Sequence, residues 1–149
     1  MRPKELINTL MIDEPEHFLS IMAMAADGQD TTESKLCSLV EARCHFIFGR
    51  PKQVSKDMVV ESHLQCSFFH TVRDLYLQPL KEIIEHILLE GIKKGELNYI
   101  DDLGLTSSMF IIFMMGFDYH FVFSNRHKRI RKAIRRMVEM FLVGLRMNP

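Results

Sequence analysis

An all-α fold is predicted, and three observations predict it. The chain of 149 residues holds only seven glycines and five prolines, and several long stretches contain neither, which disfavours a turn-rich β architecture. Apolar residues recur at three- and four-residue spacing in one segment after another. The breaks between those segments carry helix caps and stops rather than linker composition. With 47% hydrophobic and 26% charged residues the composition is globular, and the length fits one domain with a sizeable core. A single domain over residues 1–149, a bundle of roughly seven helices, is expected.

The first helix is expected from about Pro3 to Ile12, with Pro3 suited to an opening helical position. A second follows Asp13-Glu14-Pro15 and closes at Asp27-Gly28; Phe18, Ile21, Met22 and Ala25 share one side of it. Asp30-Thr31-Thr32-Glu33 announces a third, which runs to Phe48 with Leu36, Leu39, Val40 and Ile47 on its apolar side, and Gly49-Arg50-Pro51 ends it. Ser55 offers an N-cap for a fourth, to about Asp74, in which Val60, Leu64, Phe68 and Val72 recur every four residues. The fifth has the clearest pattern. Pro79 opens it, Leu80, Ile83, Ile84, Ile87, Leu88 and Ile92 form the stripe, and Lys93, Lys94 and Gly95 supply a cationic C-terminus and its stop. A sixth begins near Asp101-Asp102 and ends near Phe123, and a seventh fills Arg126 to Arg146.

Formal charge sums to zero but is unevenly spread. Up to Asn125 there are 11 Lys and Arg against 18 Asp and Glu; from Arg126 onward there are eight against Glu139 alone. A nucleic-acid binder is basic throughout or carries a reading motif, and neither holds here. The basic run from Arg126 to Arg136 lies at a helix start, where positive charge opposes the helix dipole. It reads as a solvated face compensated by the acidic remainder, or as a patch for nucleic acid, an acidic membrane or a calmodulin-like partner. Three cysteines (Cys37, Cys44, Cys66) and no secretory leader point to reduced thiols and a cytoplasmic protein.

The sixth segment is apolar or glycine at every position from Met109 to Phe117. Thr106, Ser107, Ser108, Asp118 and His120 interrupt its wider span, and the unbroken run is about half the roughly 20 residues a membrane requires. No membrane partner is expected. A helix apolar all round is buried on all sides, so one face is expected on its own domain and the opposite face on a second copy.

Candidate chemistry concentrates in two places. His63, Cys66, His70 and Arg73 share one face of the fourth helix, where they could hold zinc or form the semi-polar wall of a pocket. Cys44, His45 and Phe48 end the third helix, with Cys37 and Glu41 before them; small buried thiols also behave as ordinary core residues. A di-iron site is set aside, because Glu14-Pro15-Glu16-His17 is the only Glu-x-x-His element present. No nucleophile elbow, phosphate loop or acid–base pair is found, so neither enzymatic activity, nor a metal, nor a cofactor is expected.

The segment from Leu75 to Leu97, ending Gly91-Ile92-Lys93-Lys94-Gly95-Glu96-Leu97, resembles the pattern of TetR-family transcriptional regulators, in which such a run precedes an acidic turn and two long interface helices. Asp101-Asp102 and the last two helices match that order, and Arg2 to Ile7 looks like the start of the family's connecting helix, so that 1–12 would be its remnant. The helix-turn-helix head is not present before Arg2, so DNA would be met only through a head outside this chain. The resemblance implies a TetR C-terminal-domain-like fold that senses a small, largely apolar effector and forms a homodimer. Its pocket would lie among the third to sixth helices, with Cys44, His45, Phe48, His63, Cys66, His70, Phe110, Phe113 and Asp118 as candidate ligand-binding residues. Its last two helices would pair as a four-helix interface carrying Met115, Tyr119, Val122, Ile134, Met137, Val138, Phe141, Leu142 and Leu145. The alternative is a purely structural dimerisation module with a filled core and no ligand.

Overall fold

Cap chemistry sets several of the helix boundaries. The computed structural model describes residues 15–48, 77–123 and 129–146, with the side chains of residues 15, 46–48 and 117–123 outside that description. Among the described residues there are five helices and no strand: α1 (Pro15–Asp27), α2 (Thr32–Phe48), α3 (Gln78–Lys93), α4 (Leu103–Phe123) and α5 (Ile130–Arg146). The chain is all-α at this level. The helices expected over 3–12 and 55–74 fall on residues outside the description, and the count of seven is not supported.

In α1, Phe18, Met22 and Ala26 succeed one another at four-residue steps and are buried. The helix ends with a cation at its carbonyl end, where Lys35 donates from Nζ to the Ala26 carbonyl at 3.3 Å. Thr31 and Ser34 then cap α2 reciprocally. The Ser34 N–H donates to Thr31 Oγ1 at 3.1 Å and the Thr31 N–H to Ser34 Oγ at 3.2 Å, a capping box with serine in place of glutamate. A third cap arrives from far along the chain, as the Thr32 N–H donates to Glu96 Oε2 at 2.7 Å. That bond holds the Glu96 carboxyl below the usual carboxylate range.

Glu96 is delivered by the end of α3. The Gly95 N–H bonds to the Ile92 carbonyl and the Glu96 N–H to the Gly91 carbonyl, the paired pattern of a Schellman stop, and Gly95 takes φ +79°, where a side chain would strain. Gly91 is needed for a different reason. A Cβ there would run into the Thr32 hydroxyl and crowd Leu97, so the missing side chain lets α3 approach the start of α2. Asp102 caps α4, accepting from the Leu105 N–H at 2.9 Å, and the Asn98 amide donates to the Arg146 carbonyl at 2.8 Å, tying the α3–α4 link to the end of α5.

α2 is the centre of the assembly and packs against each of the other four helices. Its buried residues therefore wrap more than one side, with Leu36, Leu39 and Val40 joined by Lys35, Arg43 and Cys44. Leu80, Ile84 and Leu88 of α3, Phe110 and Met114 of α4, and Ile134, Val138 and Leu142 of α5 complete a single core. Each fully buried aliphatic or aromatic side chain contributes about 1.5–3 kcal/mol of hydrophobic stabilisation. Among the described residues, no helix is long and apolar enough to cross a membrane.

Candidate functional site

Two neighbouring cavities run along one side of α2. The larger, about 660 Å³, opens to the surface between α1, α2 and the first turns of α5. Ile21 and Ala25 reach it from successive turns of α1, and Ile130 and Ile134 from successive turns of α5. Between them α2 presents Ser38, Ala42 and His45 at helical spacing, with Cys44 beside them. Ala25 and Ala42 are the shortest side chains on these walls. Apolar side chains dominate the lining, and its charges among the described residues are Glu41 and Arg131, which span the gap between α2 and α5 with Arg131 Nε 3.8 Å from Glu41 Oε2.

The second cavity, about 400 Å³, is the polar continuation of the first: both are bordered by Gln29, Ser38, Glu41 and Arg131. It adds Glu33 and Cys37 from α2 and Arg135 from α5. Burial pushes the Cys37 thiol up to about 11, and the carboxylates of Glu33 and Glu41 add to the rise while Arg135 opposes it. A thiol so raised is protonated at neutral pH and is a poor nucleophile.

The expected ligand residues are divided by the structure. Cys44 and His45 line the larger cavity. Phe110 does not: it is fully buried in the core, edge-to-face with Phe141 at a centroid distance of 5.0 Å. Phe113 lies on the surface, 47% exposed, its ring 6.2 Å from that of Phe141. His63, Cys66 and His70 lie outside the described residues, as do the side chains of Phe48 and Asp118. The cavity thus borders α1 and α5, helices that the expected pocket left out. Glu41, Ile130 and Arg131 were not among the expected ligand residues. The available signal was weak, namely apolar pairs four residues apart on helices whose mutual placement the sequence does not state.

The expected interface residues are likewise divided. Ile134, Val138 and Leu142 are fully buried in this chain's own core and offer no surface to a second copy. Met115, Met137, Phe141 and Leu145 are half-buried and packed against that core, while the side chains of Tyr119 and Val122 lie outside the description. What stands exposed instead is a different set of apolar side chains: Leu105, Met109, Ile112 and Phe113 along one face of α4, and Met140 and Val143 on α5. The Phe113–Phe141 contact joins the two helices at this face.

Among the described residues, no three or more His, Cys, Asp and Glu side chains gather as metal ligands. No protein-family model, no curated protein and no solved structure matches the chain. The likeness to TetR regulators therefore rests on the sequence pattern alone. Much of that pattern, from Gly91 to Leu97, has a structural account here: close approach at Gly91, a helix stop at Gly95, a cap from Glu96 and a buried Leu97.

Proposed function

We propose that this chain is a ligand-sensing and dimerising module, the effector half of a TetR-like transcriptional regulator. In this reading a small, largely apolar molecule occupies the cavity beside α2, and a second copy covers the exposed face of α4 and α5. The observation that carries it is the cavity itself. About 660 Å³ falls inside the range of small-molecule sites, and helices distant in sequence supply isoleucine and alanine side chains beside polar ones such as Glu41 and His45. The exposed apolar side chains of α4 and α5 support the second half, since apolar surface of this kind marks interaction sites when it gathers in patches.

Sensing requires that the ligand prefer one of two arrangements. α2 touches both the cavity and every other helix, which makes it the element through which occupancy would reach the dimer face. Native mass spectrometry of the full chain tests the reading. A dimer of twice 17.5 kDa that carries or takes up one small molecule per chain is expected. A dimer that binds nothing would favour the filled structural module, and a monomer would remove the dimeric half.

A further inference from the structure

We propose, building on the sensing reading, that the groove beside α2 selects a cationic amphiphile, a molecule with an apolar body and an ammonium or guanidinium head, and that Glu41 receives the head. The groove is divided in the manner such a ligand requires. Ile21, Ala25, Ile130 and Ile134 make one end apolar, the other end is polar, and the paired charges Glu41 and Arg131 border both.

The sign of the charge follows from which ionic groups are sheltered. Glu41 is 35% exposed and Arg131 84%, so the carboxylate is the less exposed of the two charges. Water screens the more exposed charge more fully, and the field felt by a molecule within the groove is that of the less exposed one. The neighbouring Cys37 thiol reports the same sign, since Glu33 and Glu41 outweigh Arg135 there. Arg131 holds Glu41 only at 3.8 Å, and an exposed pair of that length contributes little. A ligand ammonium can take its place while Arg131 turns outward into water that it already contacts. An anionic head would have to bind the screened guanidinium beside a sheltered carboxylate.

Octylammonium, octanol and octanoate share one apolar body and differ in the charge of the head, and isothermal titration calorimetry of the full chain with each separates the alternatives. Octylammonium is expected to bind most tightly. Glu41→Gln, which keeps the shape and removes the charge, should weaken octylammonium about tenfold or more and leave octanol unchanged. Arg131→Gln should strengthen octylammonium by up to about fivefold, because it removes the internal competitor. Octanoate binding most tightly, or weakening at Arg131→Gln with no effect at Glu41→Gln, would overturn the cationic assignment and leave the sensing reading standing. Binding by none of the three would overturn both. Far-ultraviolet circular dichroism of each variant checks that the fold is retained, and Ala25→Met, which fills the apolar end, should weaken octylammonium and octanol together.

Discussion

Single side chains account for several features of this fold, and three of them carry sharp expectations. Glu96 satisfies an N–H at the start of α2 that would otherwise lack an intrahelical partner. Glu96→Ala should cost about 1 kcal/mol in urea unfolding. Because its pKa is lowered on folding, that contribution is complete above the unfolded carboxylate range and is lost as pH falls through the lower folded value. Ser107 presents the opposite case, since its hydroxyl is fully buried and has no hydrogen-bond partner among the described residues. An unmade bond of this kind costs about 1–3 kcal/mol, so Ser107→Ala should raise the denaturation midpoint. Cys37 bears on pH at the alkaline end. Its folded pKa of about 11 stands above the unfolded value of 9.0, so its contribution is present below pH 9 and declines as pH rises toward 11. Mass-resolved alkylation should find Cys37 slow at neutral pH, and rapid labelling there would contradict the sheltered, carboxylate-flanked placement.

At the scale of elements, the end of α3 and the start of α2 form one joint. Gly91 permits the contact, Gly95 turns the chain, and Glu96 makes the bond. In an isolated helix Gly91→Ala would gain up to about 1 kcal/mol from propensity. Here the added methyl meets the Thr32 hydroxyl and Leu97, and overpacking of that kind costs about 1–3 kcal/mol. A net loss of stability by thermal unfolding is expected, and a gain would show that the joint yields easily. α2 illustrates the limit of pattern reading at this scale. Leu36, Leu39 and Val40 marked its apolar side in the sequence, but packing on four neighbours also buries Lys35, Arg43 and Cys44. No single stripe describes a helix that is surrounded. α5 behaves conversely: Ile134, Val138 and Leu142 were legible as its buried stripe, although not as a stripe used by the chain itself.

At the scale of the whole molecule, the dimer proposal and the ligand proposal occupy different surfaces. The cavity lies against α1, α2 and α5, and the apolar face belongs to α4 and α5. Ile112 and Met140, 63% and 65% exposed, give the cleanest test of the face because neither supports the core. Ile112→Asp with Met140→Asp should leave the helical content and melting behaviour of the protomer intact while halving the mass measured by sedimentation. A double variant that remained dimeric would place the interface elsewhere. Phe141 is a poorer choice for this purpose, since it also packs on the buried Phe110.

The sequence by itself determined the class of the fold, the approximate limits of the described helices, the inward side of α3 and the apolar stripe of α5. Those properties depend on residues three or four apart and on caps within one turn, which the order of amino acids states directly. Only the tertiary structure decided where the free volume lies, that Ile134 belongs to this chain's core, that Phe110 is buried while Phe113 is exposed, and that Glu96 caps a helix beginning 64 residues before it. Each of those depends on how helices sit against one another. The apolar run of α4 shows the reason most plainly. Met109, Phe110, Ile111, Ile112, Phe113 and Met114 are all apolar, so no polar residue separates the side that meets α2 and α3 from the side left uncovered. Packing against those neighbours buries one side and leaves the other at the surface.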